Sequence, residues 1–315
     1  MIVARQASEI AFNPKSVVTV GSFDGVHRAH ASVIKTTVER AQAIGGRSVA
    51  VTFEPHPREI VGSRFGMLLL TTLNEKEELI ARLGVNVLIV LPFTKDFSQQ
   101  SSSEFFEEYL IKRIGACEIV EGFDHHFGKN REGNPEALLT LGKKFDVVVT
   151  AVSPVKHAGM VVNSSQIRHH LESGEIERAN ELLGYSYSIS GTVVEGDKRG
   201  RTLGYPTANL QPDSSRKLIP QNGIYFVIVD VRGKRMFGMA SVGVRPTFYT
   251  NGQRLVETNI LAFDEQIYGE RISYTFLKRL RDELKFDSVD ALIQQMNRDK
   301  AASLILKQQF EQQGN

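Results

Sequence analysis

The sequence predicts a two-part chain: an α/β domain built on a parallel sheet, then an antiparallel, barrel-like β domain followed by a C-terminal helix. Three observations carry this. The 315 residues suffice for about two domains at ~150 residues each. Residues 14–184 alternate short β-branched runs with amphipathic stretches, the rhythm of repeated βα units. Beyond Gly184, strands follow one another across Gly, Asn and Asp turns with no helix between them.

The runs SVVTVGSF, RSVAVTFEP, NVLIVLPF, CEIVEGF and FDVVVTAV read as successive parallel strands. Asn74 followed by Glu77, and Ser101 followed by Glu104, predict capping boxes that start helices between them. Ser164 and Ser165 open another helix, which Gly174 stops, and EIERANELLG is a helix ended by Gly184. SYSISGTVV, NGIYFVIVDVRGKRMFGMASVGV, VETNILAF and ERISYTFL then read as antiparallel strands, with RGK a tight hairpin. From Ser288 a polar helical pattern runs on and is expected to close one end of the barrel. The boundary falls near 184–188, giving domains 1–184 and 185–315.

Hydrophobic residues at 41% and charged residues at 23% are those of a globular protein. Thirty-eight Lys and Arg against 36 Asp and Glu leave a net charge of +2, too little to coat nucleic acid by bulk electrostatics. Any bound anion must be met locally. No apolar run approaches the roughly 18 residues of a membrane span, and MIVARQASEI lacks a signal-peptide core, so no membrane and a cytoplasmic location are expected. Cys117 stands alone and is expected to be a small buried residue; no Cys/His cluster has zinc spacing.

Chemistry concentrates first in VVTVGSFDGVHRAH. A glycine-containing turn follows the first strand, at the sheet edge where ligands sit, and His27 and His30 open a helix. Backbone N–H groups at a helix start favour anions, and histidines at i and i+3 share a face, so both can reach one polyphosphate. Nucleotidyl transfer needs such positioning and fixed positive dipoles more than a covalent nucleophile. The plain alternative is a helix start with two solvent histidines.

GSFDGVHRAH resembles the motif G-x-F-D-G-V-H-x-G-H of the adenylyltransferase half of prokaryotic bifunctional riboflavin kinase/FAD synthetases. The resemblance continues in TFEPHPRE at 52–59, GFDHHFGKNREGN at 122–134 and NSSQIRHHL at 163–171. It implies a Rossmann-like nucleotidyltransferase domain in which Gly21, Phe23, Asp24, His27 and His30 form the nucleotide-binding turn, the two histidines stabilising the transition state. Asp124 would lie in the nucleotide or flavin pocket, and Ser164, Ser165 and Arg168 would hold phosphate at a second helix start. Plain N-capping is the alternative for the serines, and a rigid turn for Glu54 and His56. Three residues depart from the family pattern: Ala29 for glycine, His125 for an aromatic, Asn163 for serine. The Ala29 methyl is expected to crowd the approach of the nucleotide.

The second constellation is GTVVEGDKRGRTLGYPTANL at 191–210. Gly191 and Gly196 have phosphate-loop spacing, but Asp197 and Lys198 follow in place of K-[ST], so a Walker A reading fails. What remains is a loop carrying Lys198, Arg199 and Arg201 into Thr207 and Asn209. Two oxygen-bearing side chains at i and i+2 on an extended segment point the same way, suiting Mg²⁺ that keeps its own waters and nucleotide phosphates; structural turn residues are the alternative. The string resembles the G-x-G-R-x-L-G-x-P-T-A-N signature of riboflavin kinases, and ASVGVRPTF at 240–248 and VETNILAFDEQIYGE at 256–270 match later signatures. The resemblance implies a six-stranded barrel with the terminal helix packed beside it. Gly196, Lys198, Arg201, Gly204, Thr207 and Asn209 would bind nucleotide, with Thr207 and Asn209 on Mg²⁺ and Glu257 as catalytic base. Asn259 stands where histidine is commoner. Flavin is expected in an apolar slot at the barrel rim, with Arg271, Lys278 and Arg281 a solvated face nearby.

The expected function is phosphorylation of riboflavin by ATP to FMN in the C-terminal domain, then adenylylation of FMN by a second ATP to FAD and pyrophosphate in the N-terminal domain. The partners are these small molecules, with no nucleic acid. The alternatives are a member keeping one activity, and a barrel that binds single-stranded nucleic acid.

Overall fold

The computed structural model describes residues 1–61, 66–123, 127–129, 132–196, 204–244 and 254–313. They form two compact units, Met1–Ser164 and Ser165–Asn315.

The first unit is built from β1 (Ile2–Ala4), β2 (Ser16–Val20), α1 (Arg28–Ala43), β3 (Arg47–Glu54), α2 (Pro57–Val61), α3 (Leu73–Arg82) and β4 (Val87–Pro92). Next come α4 (Ser102–Phe105), continued as a wider π-helix over Phe106–Ile114, then β5 (Ala116–Gly122), α5 (Pro135–Phe145), β6 (Val148–Val152) and the short pair β7 (Lys156–His157) and β8 (Met160–Val161). The sheet order is β1-β4-β3-β2-β5-β6, all parallel. Successive strands add on one side of β2 and then on the other. The turn after β2 therefore sits at the switch point, the place where open α/β sheets bind ligands.

Both sheet faces are buried, which is why the strands read as continuous apolar runs. On one face Ile34 and Ile80, from α1 and α3, pack on Ala50, Leu88 and Val90. On the other, Phe106, Leu110 and Leu138 pack on Val18, Val49 and Ile89. The capping box at Ser101 and Glu104 is present. The one expected at Asn74 and Glu77 is instead made by Thr72 and Glu75: Thr72 Oγ1 accepts from the Glu75 backbone at 3.3 Å and Glu75 returns a carboxylate to Thr72 N at 2.9 Å. The threonine meets the same spacing rule two residues earlier and starts the helix there. β1 was not foreseen, since its three residues gain strand character only by pairing with β4. Cys117 is half-buried rather than buried, and the loss of solvent pushes its thiol up.

The second unit holds most of α6 (Ser164–Glu172), then α7 (Ile176–Leu183), β9 (Ser188–Val194), β10 (Ala208–Pro212), β11 (Gly223–Val231), β12 (Lys234–Val244), β13 (Arg254–Ile260), β14 (Arg271–Arg281) and α8 (Val289–Gln313). The strands close a six-stranded antiparallel barrel in the order β10-β13-β12-β11-β14-β9. Gly174 and Gly184 end their helices with φ of 74° and 83°, the left-handed conformation that costs glycine nothing. The predicted hairpin is a two-residue turn, Arg232 and Gly233, both at positive φ. Tyr187, Tyr225 and Tyr274 are fully buried, and each hydroxyl donates to a backbone carbonyl, of Leu218, Gln221 and Ala208. Large rings thus fill the barrel without an orphaned hydroxyl.

The terminal helix does not close an end of the barrel. Phe237 and Met239 point outward from β12 and need cover, and α8 lies against them through Met296 and Phe310. Arg281 forks onto Asp299 at 2.7–3.0 Å, and Arg271 pairs with Asp213 at 2.7 Å. Arg281 is thus a structural strut, while Arg271 and Lys278 are exposed, as a solvated face requires.

Candidate active sites

The turn between β2 and α1 departs sharply from ordinary backbone. Phe23, Gly25 and Val26 have φ of 46°, 85° and 36°. For a β-branched valine this is a true outlier, sustained only where the surroundings over-determine it. They do. Asp24, 2% exposed, accepts from the backbones of Leu70 and Thr71 at 3.0 and 3.2 Å, and Gly25 N donates to Thr71 Oγ1 at 3.0 Å. Thr52 Oγ1 donates to Ser22 O at 3.2 Å, and Ser164 Oγ to Asp24 O at 3.1 Å. A Cβ on Gly21 would lie 2.9 Å from the Phe23 ring, so this glycine lets the turn fold on itself.

This frame fixes the histidines. His27 caps α1, its Nδ1 accepting from His30 N at 3.4 Å. The two imidazoles stack at 3.6 Å, 17° from parallel, with Phe23 edge-on to His30 at 5.5 Å. Burial first, then His27, then Lys76 hold His30 well below the usual imidazole range. A lowered pKa favours the neutral ring, which can donate one N–H hydrogen bond. The paired rings stand at the N-terminal amides and positive dipole end of a sixteen-residue helix, an arrangement that suits an anion.

Ser164 opens α6, while Ser165 and Arg168 lie further along that helix within the second unit. Asp124 and the departing residue His125 lie outside the described residues. His56 follows a cis Glu54–Pro55 bond and accepts from Arg58 N at 3.1 Å, the rigid turn its prolines suggest. Sequence reasoning missed Lys76, which is 3% exposed on α3. Its signal was a lysine in line with Leu73 and Ile80 on an apolar helical stripe.

In the barrel, register brings the predicted groups together. Asn209 on β10 lies directly opposite Glu257 on β13, and Glu257 is opposite Ser241 on β12. Opposed residues have Cβ atoms about 4.5–5.5 Å apart on one face. Thr207 lies two residues before Asn209 along the same extended segment, so both face outward while Ala208 and Leu210 are buried. A cavity of about 170 Å³ opens beside them, lined by Gly196, Pro206, Thr207, Asn209, Thr258, Ile260 and residues 263–268. Glu257 does not line it.

Neighbours fix the Pro206–Asn209 segment. Asn259 Nδ2 donates to Pro206 O at 2.8 Å, which gives a task to the residue that departs from the family's histidine. Tyr205 OH donates to Asn297 of α8 at 2.5 Å, and its ring packs on Met239 and Leu261. A Cβ on Gly196 would fall 2.3 Å from Asn209 Nδ2, so any larger residue there would have to displace the Asn209 amide. Gly204 has φ of 79°. Lys198 and Arg201 lie outside the described residues. Among the described residues no three His, Cys, Asp or Glu side chains gather as metal ligands. The Thr207 and Asn209 oxygens fit a hard cation that keeps waters and phosphate oxygens, not an all-protein cage.

The comparisons divide the chain as its two textures do. The FAD synthetase family model matches residues 9–166 and the riboflavin kinase model residues 183–306. The bifunctional riboflavin kinase/FMN adenylyltransferase of Listeria monocytogenes is 39% identical over 90% of both chains, and that of Bacillus subtilis 36% over 92% of both. A solved Streptococcus pneumoniae structure described as a macrolide-efflux protein is 34% identical, with a TM-score of 0.87 over 96% of this chain and 98% of its own. Among the described residues no helix is long and apolar enough to cross a membrane. With both halves matched, each by its own model, and whole-length relatives above 30% identity, the chain belongs to the bifunctional riboflavin kinase/FAD synthetase family.

Proposed function

We propose that this chain makes FAD from riboflavin in two ATP-dependent steps. Its barrel domain, residues 185–315, phosphorylates the flavin, and its α/β domain, residues 1–184, adenylylates the resulting FMN. The observation that carries the reading is that two separate anion-handling constellations occur, one in each unit: the stacked His27/His30 pair at a helix start, and the Thr207/Asn209 pair opposite Glu257.

In the kinase step Thr207 and Asn209 would hold Mg²⁺, which neutralises the ATP phosphates. Glu257, across from Asn209, receives the proton of riboflavin's 5'-hydroxyl as its oxygen bonds to the γ-phosphorus and ADP leaves. In the second step an FMN phosphate oxygen bonds to the α-phosphorus of ATP and pyrophosphate departs. The imidazole donors and α1 amides take up charge growing on the phosphate oxygens, and Ser164, whose hydroxyl reaches Asp24 O, would supply a further phosphate contact.

Supplying FMN, ATP and Mg²⁺ should give FAD and pyrophosphate in equal amounts; pyrophosphate without FAD, or neither, rejects the second step. Two substitutions refine the account. Asn259→Ala should raise the KM for MgATP in riboflavin phosphorylation by roughly 3- to 10-fold, the loss of about one hydrogen bond, because Pro206 O loses its tether. Unchanged MgATP saturation would show that this bond does not place Thr207 and Asn209. Ala29→Gly should raise the rate of FAD formation, since Ala29 lies in the first turn of α1, between the two histidines in sequence. The opposing helix cost is about 1 kcal/mol, and an unchanged or lower rate in a folded variant counts against crowding by Ala29.

A further inference from the structure

A buried lysine in the first unit is left without a task by the chemistry above. Lys76 is 3% exposed, although lysines are almost never fully buried unless paired. It occupies a place on α3, in line with buried Ile80, where a methionine or leucine would pack without a desolvated charge. Its Nζ donates to Thr52 Oγ1 at 3.5 Å, and Thr52 Oγ1 donates in turn to Ser22 O at 3.2 Å. The charged and titratable groups that act on it come from several elements: Asp24 on the β2–α1 turn, His30 on α1, Glu54 at the end of β3 and Glu77 beside it on α3. Lys76 thus reaches the turn through Thr52, and its charge is near enough to His30 to help lower that ring's pKa.

We infer that Lys76 is a positioning residue for adenylyl transfer: a fixed ammonium that pins the Ser22–Asp24 turn through Thr52 and adds positive field near His27 and His30, where the triphosphate's charge collects. This rests on the reading of that turn as the nucleotide site. Burial lowers the lysine's pKa and the three carboxylates oppose the fall. Replacing a whole buried ion pair by packed apolar side chains is often neutral or stabilising, and Asp24 is already held by the backbones of Leu70 and Thr71, so a lysine here points to a task other than packing.

The test uses the full chain with FMN and MgATP. Lys76→Met keeps the stem length and removes the charge; Lys76→Gln removes the charge while keeping a hydrogen-bond donor for Thr52. Both should lower kcat for FAD formation by roughly 10- to 10²-fold, the range in which a small misplacement acts. The KM for FMN and the rate of riboflavin phosphorylation should hold. By NMR, the His30 ring should titrate at higher pH in either variant, because one of the causes holding its pKa down is gone. A folded variant of either kind with kcat within about twofold of wild type overturns the proposal, as does loss of activity with His30 titration unmoved. A wild-type chain that makes no FAD would overturn the site reading itself and this proposal with it.

Discussion

Glu257→Gln should lower kcat for riboflavin phosphorylation by roughly 10²- to 10⁴-fold, the reach of a general base. The substitution keeps shape and hydrogen-bonding capacity and removes only the ability to accept a full proton. Glu257 is half-buried on β13, opposite both Asn209 and Ser241, so a glutamine there has polar neighbours and the barrel interior is untouched. FAD formation from supplied FMN should be unaffected, because that step uses groups in the other unit. Steady-state assays of each half-reaction on one preparation check this, and a kinase loss under about threefold, far below that reach, removes the assignment.

The second large effect is expected in the opposite half. His30→Ala should lower kcat for FMN adenylylation by roughly 10²- to 10³-fold, the usual consequence of removing one preorganised donor from a site of developing charge, with riboflavin phosphorylation unchanged. Burial, His27 and Lys76 lower the His30 pKa and so favour its neutral form, which on the proposed reading acts as an N–H donor. His30→Asn, an uncharged donor, should therefore recover part of the loss. If His30→Ala and His30→Asn are equally inactive while folded, donation is not the role. If His30→Ala keeps most of its rate, the stacked pair is a structural helix start.

Much of this was legible in the sequence because both units follow local rules. The alternation of apolar runs with amphipathic stretches gave the parallel sheet, and the Arg232–Gly233 turn gave its hairpin, since each depends on neighbours in sequence. The place of the His27/His30 turn at the C-terminal edge of the sheet followed from strand–turn–helix order, whereas the strand order that makes that edge the switch point is tertiary. What was not legible depends on tertiary pairing. β1 is three residues whose strand character comes only from β4, and α8 was expected at a barrel end because its partners Phe237 and Met239 are outward-facing only once the barrel closes. Asn259 read as a departure from the family pattern, yet the fold places its amide on Pro206 O. Lys76 was overlooked because a single cation on an amphipathic helix is ordinarily a solvated one; its burial emerges when α3 docks on the sheet.

The account's central claim is that the two units act in succession on one flavin. A time course of the full chain with riboflavin, ATP and Mg²⁺, its flavins resolved by chromatography, tests this most directly. The prediction is that FMN rises and then falls while FAD accumulates, with ADP and pyrophosphate released in equal final amounts. Riboflavin left unchanged, or FMN that accumulates without being consumed, would contradict it.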